Sequence, residues 1–352
     1  MAGPEGTGQR RGRSRASGPT VTDVARAAGV SAMTVSRVVN YEPNVSDETR
    51  EKVLKAVAEL GYVPNTAARA LAGGKQCRIA LLHSNPSAAY LSEFLMGSLA
   101  QAAQGDLQLV VEYCGDSTPE DLIARLIQHR TDAVLLPPPL CDDVPIIMAI
   151  HHAGIPIARI ATGRPTEGSV AVTIDDMAAA KAMTAHLIAQ GHRRLGFIEG
   201  NSNQSVSALR RQGYEAALAE AGIAPDPALI VPGDFTYRSG LAAAEALLAL
   251  SDRPTAIFAS NDDMAAATVA TAHRHRLDVP GDLAVCGFDD TAMATTIWPE
   301  LTTIRQPIAE MARVATELLG EEVRGRLDRG RNVQLQYQVP SPIHDALAAA
   351  RD

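Results

Sequence analysis

The chain has 352 residues, 46% apolar and 20% charged, which is the balance of an ordinary soluble protein of two to three domains. No run reaches the roughly 18 apolar residues that span a bilayer, and Met1–Gly18 lacks the apolar core of a secretory signal. None of Cys77, Cys114, Cys141 and Cys286 lies within four residues of another. These features argue against a membrane protein, a secreted disulfide scaffold and a zinc finger; no metal or cofactor is expected, and a reducing cytoplasm fits best.

The formal net charge of −8 is unevenly spread. Residues 1–75 carry 11 Lys and Arg against 7 Asp and Glu, and the remainder carries 21 against 33. A small basic head on a large acidic body suggests that only the head meets a polyanion.

In chain order, residues 1–18 are Gly-, Arg- and Ser-rich, a composition expected to stay disordered. Residues 19–62 predict three short helices. The first places Val21, Val24, Ala25 and Ala28 on one face, starts at Thr20 with Asp23 three residues on, and ends in a turn at Gly29. The second is capped by Ser31 and runs to about Asn40. It turns Val35, Val38 and Val39 inward and Ala32, Met33, Thr34, Ser36, Arg37 and Asn40 outward. The third is capped by Ser46, turns Val53, Val57 and Leu60 inward and ends at Gly61. Two helices joined by a Gly turn, the second short and polar outside, form a helix-turn-helix. An outer face chosen for solubility alone would more often use Glu and Lys.

Residues 63–76 hold a two-turn helix from Asn65 to Gly73, too short to stand alone in water, with Leu71 its one large apolar side chain. From Arg78 onward nine short apolar runs alternate with helical segments: Ile79–His83, Leu107–Tyr113, Ala133–Leu136, Ile155–Ile160, Val170–Ile174, Leu195–Ile198, Leu229–Val231, Ala256–Ala259 and Leu283–Phe288. Alternating strands and helices predict parallel sheets. Nine strands exceed one comfortable sheet domain, so two lobes are expected, with ligands at the carboxyl ends of strands between them. Val333–Val339 reads as a last strand, and residues 341–352 as a tail too short for sustained heptads.

The head motifs Val21-Thr22-Asp23-Val24-Ala25, Ala28-Gly29-Val30-Ser31, Thr34-Val35-Ser36-Arg37-Val38-Val39-Asn40 and Gly61-Tyr62-Val63-Pro64-Asn65 resemble the LacI/GalR (lactose-repressor) family. So do Gly191–Ile198, Pro254–Phe258, Ser260-Asn261-Asp262, Val285–Asp290 and Leu301–Ile304. The resemblance runs from about Thr20 to Gln338. It implies an N-terminal helix-turn-helix three-helix head and hinge helix, followed by a two-lobed periplasmic-binding-protein-like (type I) α/β core, residues 77–340, that dimerises and binds a small effector. The lobes are expected at about 77–190 plus 306–332 and about 191–305 plus 333–340. The implied function is a sequence-specific transcriptional regulator, by family default a repressor of carbohydrate uptake or catabolism, bound as a homodimer to a pseudo-palindromic operator in double-stranded DNA.

By that resemblance the second head helix reads the major groove. Arg37 suits guanine O6 and N7, a contact worth about 1–3 kcal/mol of discrimination, and Thr34, Ser36 and Asn40 suit phosphates or base edges. Ala32 and Met33 stand where the family sets operator preference. Both are apolar, so an operator different from the lactose one is expected at those bases. The hinge helix enters the minor groove with Leu71 as wedge and Asn65, Ala68 and Arg69 beside it. Thr20, Ser46 and Tyr62 complete the DNA-facing set. The resemblance assigns the effector to Asp176, Arg210, Phe235, Asn261 and Asp289, with Asn85, Tyr90 and Glu93 on the other wall and Arg164 and Trp298 as weaker candidates; Trp298 reads better as packing.

Three alternative readings are open to this sequence. A purine- or nucleoside-type regulator needing a corepressor shares the same framework. A carbohydrate-acting enzyme is suggested by paired carboxylates at Asp142-Asp143, Asp175-Asp176, Asp262-Asp263 and Asp289-Asp290. Neighbours in sequence, however, do not face each other across a cleft, and there is no Gly-x-Ser-x-Gly elbow. His273 and His275 do not share a helix face, which disfavours metal binding. A transport binding protein would need a signal peptide and no DNA-reading head.

Overall fold

The structure is a computed structural model that describes residues 19–39, 45–60, 76–115, 117–328 and 330–339. It divides into two compact units between Lys75 and Gln76.

In the first unit, α1 (Val21–Ala28), α2 (Ala32–Val39) and α3 (Asp47–Leu60) pack on one another. Local chemistry sets their ends. The Asp23 carboxylate accepts from Thr20 N at 2.9 Å and from Thr20 Oγ1 at 2.7 Å. Gly29 stops α1 in the left-handed conformation, φ 67°, which costs a glycine nothing. Ser31 Oγ accepts from Thr34 N at 3.1 Å, and Ser46 Oγ from Thr49 N at 3.4 Å. The core is Val24, Ala25, Val35, Val38, Val53 and Ala56, each valine contributing about 1.5–3 kcal/mol by burial. One expectation changes: Ala56 takes the inward place on α3, and Leu60 is 38% exposed.

Among the described residues the second unit has eleven strands: β1 (Cys77–His83), β2 (Leu107–Tyr113), β3 (Ala133–Leu136), β4 (Ile157–Ile160), β5 (Val170–Thr173), β6 (Leu195–Ile198), β7 (Ile230–Val231), β8 (Ala256–Ala259), β9 (Ala284–Asp289), β10 (Thr302–Arg305) and β11 (Asn332–Gln334). They form two parallel sheets, ordered β11-β5-β4-β3-β1-β2 and β10-β9-β8-β6-β7. The connecting helices are α4 (Ala88–Gly105), α5 (Pro119–Gln128), α6 (Val144–His152), α7 (Asp176–Ala189), α8 (Ser205–Glu220), α9 (Tyr237–Leu248), α10 (Asp262–Arg274), α11 (Ala292–Thr296) and α12 (Ile308–Val323). Every residue of β3, β4, β6 and β8 is buried, which is why β3, β6 and β8 read as unbroken apolar runs and β4 is broken only by the buried Arg159. Two glycines let helices touch closely: a Cβ on Gly97 would lie 1.9 Å from Ala309 O between α4 and α12, and one on Gly213 2.3 Å from Met177 O between α8 and α7.

All nine apolar runs are strands. β10 had no such signal, because Thr302-Thr303-Ile304-Arg305 has a single aliphatic residue. The expected lobe limits need two corrections. The last strand is only Asn332–Gln334, and it pairs with β5 in the first sheet, so it leaves the second lobe. Helix α7, expected with the first sheet, packs on α8 of the second. Helix α12 packs against α4 and β5 of the first sheet.

Candidate functional site

Because both sheets are parallel, the loops after their strands gather at the strands' carboxyl ends, and a pocket lies there. Asn85 follows β1, Pro138 follows β3 and Ala161 follows β4; Gln204, Val206 and Arg210 follow β6; Phe235, Asn261, Asp289 and Gln306 come from the ends of β7 to β10. Ser87 and Tyr90, at the start of α4, complete the lining.

Arg210 is the hub. Its Nε donates to Asp176 Oδ1 at 2.9 Å, Nη1 to Ser260 O at 2.6 Å and Nη2 to Gln306 Oε1 at 3.3 Å. Nη1 stands 3.9 Å from Asp289 Oδ1. The guanidinium lies 3.6 Å from the centre of the Phe288 ring and 5.9 Å from that of Phe235, a favourable cation–π setting. Asn261 is equally engaged: its Nδ2 donates to Phe235 O at 3.0 Å, and its Oδ1 caps α10 by accepting from Met264 N at 3.0 Å. Phe235 itself has φ 68°, and its ring leaves no room at Gly200, where a Cβ would fall 2.0 Å from Cζ.

The pocket is acidic beneath its surface. Burial pushes Asp289 well above the usual carboxylate range; Arg210 pulls it back, and Asp262, Asp263 and Asp176 push it further up. Burial also raises Asp176 against the pull of Arg210, and raises Asp262 to about 7 although it accepts from Thr303 Oγ1 at 2.6 Å and Thr291 N at 2.7 Å. Burial, then the nearby Asp289, raises the Tyr90 phenol.

Of the sequence-expected effector residues, Asn85, Tyr90, Arg210, Phe235, Asn261 and Asp289 line this pocket. Asp176 does not; it stands behind Arg210 and holds it. Glu93 and Arg164 are exposed. Trp298 is not packing either: it is 84% exposed. Sequence reasoning missed Ser87, Pro138, Ala161, Gln204, Val206 and Gln306. For Gln306 a signal existed, since it directly follows β10, but β10 itself went unread. Three of the four paired carboxylates split, while Asp263 stays half-buried beside Asp262. Asp143 and Asp175 cap α6 and α7, Asp290 pairs with Arg305, and Asp142, Asp176, Asp262 and Asp289 turn inward.

On the head, the outer face of α2 shows Ala32, Met33, Ser36 and Arg37 exposed and Thr34 half-buried, with Met33 at 66%. Thr20 and Ser46 are exposed helix caps. Asn40, Tyr62, Asn65, Ala68, Arg69 and Leu71 lie outside the described residues.

Known proteins match both units. Residues 20–65 fit the family model of bacterial regulatory proteins of the lacI family, and residues 184–340 that of the periplasmic binding protein-like domain. The catabolite control protein A of Priestia megaterium is 32% identical over 325 residues, covering 91% of this chain and 97% of that one. The chain belongs to the LacI family of bacterial regulators. It is a DNA-binding transcriptional regulator and not an enzyme. The GalR regulator of Escherichia coli is 35% identical over 308 residues, covering 85% of this LacI-family chain and 88% of its own. A solved complex of the regulator CelR with cellobiose matches 92% of this chain and 98% of that one at TM-score 0.71 and 32% identity. The Lac repressor dimer bound to operator and an anti-inducer covers the same 92%, and 98% of its own chain, at 0.69 and 28%. No helix among the described residues is long and apolar enough to cross a membrane.

Proposed function

We propose that this regulator is a cytoplasmic repressor of carbohydrate uptake or catabolism genes, that it binds a pseudo-palindromic operator as a homodimer, and that a small sugar-like effector in the core pocket controls operator binding. The observation that carries the reading is the joining, in one chain, of a head whose α2 exposes Met33, Ser36 and Arg37 with a core whose strand-end pocket is lined by hydrogen-bonding side chains. Arg37 reads guanine, while Thr34, Ser36 and Asn40 meet phosphates and base edges. Leu71 of the hinge segment wedges the minor groove, flanked by Asn65, Ala68 and Arg69. The effector favours one arrangement of the core, and operator affinity changes reciprocally, with a coupling of about 1–3 kcal/mol.

The test is selection of sheared genomic DNA by the purified chain, beside Arg37→Ala. The expected result is enrichment of a two-fold symmetric site by the wild type, lost in the variant and weakened steeply by salt. Enrichment of the same site by Arg37→Ala would remove α2 from base reading. Enrichment by neither protein, with and without a metabolite extract, would overturn the operator reading.

A further inference from the structure

We infer that access to the strand-end pocket is gated: Ser205, at the start of α8, latches the loops of the two sheets together through Asp142 and Gly163, and a ligand enters only after those bonds open. The inference goes beyond the proposed function and holds whatever the pocket binds, so its failure leaves that reading standing.

The pocket is shut from solvent. Every residue lining it except Asn85 is buried, and Asn85 is half-buried. The walls come from loops of both sheets, so a ligand reaches them only when those loops part. The chain crosses between the sheets after β5, after β10 and after β11, where Arg305 and Gln338 exchange backbone hydrogen bonds at 2.9 and 3.1 Å. β11 and β5 stand at one edge of the first sheet, and β10 stands at one edge of the second. The crossings thus gather on one side, about which the two halves of the core can pivot. The latch lies inward of those edges: Asp142 follows β3, Gly163 follows β4 and Ser205 follows β6.

Ser205 makes three hydrogen bonds between the loops of the two sheets. Its N donates to Asp142 Oδ2 at 2.7 Å, its Oγ donates to the same oxygen at 2.5 Å, and its Oγ accepts from Gly163 N at 2.7 Å. Asp142 is anchored on its own side, where Oδ1 accepts from Thr162 Oγ1 at 2.6 Å and Arg159 Nη2 at 3.2 Å. One carboxylate oxygen therefore serves each half of the core. Ser205 is the first residue of α8. Its amide has no partner within the helix, and the helix dipole there favours an anion; Asp142 meets both needs. The Asp142 side chain is 6% exposed, so these charge-assisted bonds are shielded from water and hold more firmly than a surface contact. The same helix carries Val206 and Arg210 into the pocket. Opening the latch therefore moves the pocket wall itself.

The test uses the full chain carrying Val206→Cys, which puts a thiol of similar size in the pocket wall, and follows its modification by iodoacetamide without any ligand. The four native cysteines are buried, so their modification reports unfolding. Two further variants release the latch from opposite sides. Ser205→Ala removes the hydroxyl. Asp142→Asn keeps an oxygen for Arg159 and Thr162 but puts an amide nitrogen where Ser205 N needs an acceptor. The expected result is that the introduced thiol reacts far more slowly than in the urea-unfolded chain. Either latch variant then speeds it by about tenfold or more, the effect of losing a hydrogen bond to a charged group, while the native cysteines gain much less. An introduced thiol that reacts as fast as in the unfolded chain before the latch is touched would show the pocket standing open and overturn the inference. A rate that neither latch variant changes overturns it as well. So do native cysteines that speed up as much as the introduced thiol, because the serine then braces the whole fold instead of gating the pocket.

Discussion

Arg159 and Arg210 each sit buried against an aspartate, Asp142 at 3.2 Å and Asp176 at 2.9 Å, yet only one of them borders a pocket. Around Arg159 the polar groups close on themselves. Its Nε donates to Cys141 O at 2.6 Å and its Nη1 to Arg164 O at 2.9 Å and Thr166 Oγ1 at 3.0 Å. Asp142 also accepts from Thr162 Oγ1 at 2.6 Å, Ser205 N at 2.7 Å and Ser205 Oγ at 2.5 Å. Because Ser205 begins α8 of the second sheet, this sealed cluster ties the two sheets' loops together. Around Arg210 the cation is equally occupied, but a second carboxylate, Asp289, and the Tyr90 hydroxyl are left over. A buried ion pair is therefore no mark of a ligand site; the unspent polar groups beside it are.

The sharpest way to break this comparison is to remove each cation. Arg159→Met and Arg210→Met should each cost about 3–5 kcal/mol, because a buried carboxylate loses its partner. Their pH behaviour should differ. In Arg159→Met, Asp142 keeps three other donors, Thr162 Oγ1, Ser205 N and Ser205 Oγ. Asp176 and Asp289 are already raised by burial and can take up protons when Arg210 is gone, so Arg210→Met should be markedly less destabilised at pH 5 than at pH 8. Denaturant unfolding at both values checks this, and equal pH dependence of the two variants would dissolve the distinction.

Next in size is Ser205→Ala. It removes a donor to the Asp142 carboxylate and the acceptor for Gly163 N, which sits at 2.7 Å. A loss of about 1.5–3 kcal/mol is expected. Faster amide exchange in the Gly163 loop than in the wild type would show that the sealed cluster ties the loops, and unchanged exchange would show that it does not.

Two glycines extend the contrast. A Cβ on Gly200 meets the Phe235 ring at 2.0 Å, whereas one on Gly163 meets the end of the Leu209 side chain at 2.7 Å and Ser205 Oγ at 3.0 Å. Leucine can swing aside and a ring in the pocket wall cannot. Gly200→Ala should cost about 1–3 kcal/mol by overpacking and Gly163→Ala less, as read from unfolding midpoints; the reverse order would mean that the Phe235 wall is the softer of the two.

The contrast also explains what the sequence could and could not tell. Most of the apolar runs were legible because parallel strands buried on both faces, such as β3, β6 and β8, carry no polar alternation, and Asp289 and Asn261 were legible because they end or follow such runs. The short head helices were legible from their caps. Asp176 was placed one layer too far forward, since a strand-end aspartate looks the same in sequence whether it faces a ligand or an arginine. Gln306 and β10 were lost together, because pairing with β9, not composition, makes Thr302–Arg305 a strand. Nothing in Asp142 or Ser205 taken singly announces a bond across 63 positions.

The smallest expected effect concerns the acidic floor beneath the pocket. Asp262 is raised from its ordinary 3.8 to about 7, chiefly by burial. The folded chain then binds this proton more tightly than the unfolded one, so the stabilising contribution is full below about pH 4 and is lost as pH rises through 7. His192 acts in the opposite sense: burial lowers it from 6.5, so it removes stability as pH falls below that value and is nearly silent above it. Between pH 6.5 and 8 stability should therefore decline with rising pH, by no more than about 1.4 kcal/mol per unit for one proton. Burial shifts Asp289 in the same direction, so any slope it contributes has the same sign. Asp262→Asn should flatten the decline, and an unchanged slope in that variant would assign it to Asp289 instead, shifting the titrating proton from the threonine-lined floor to the open wall of the pocket.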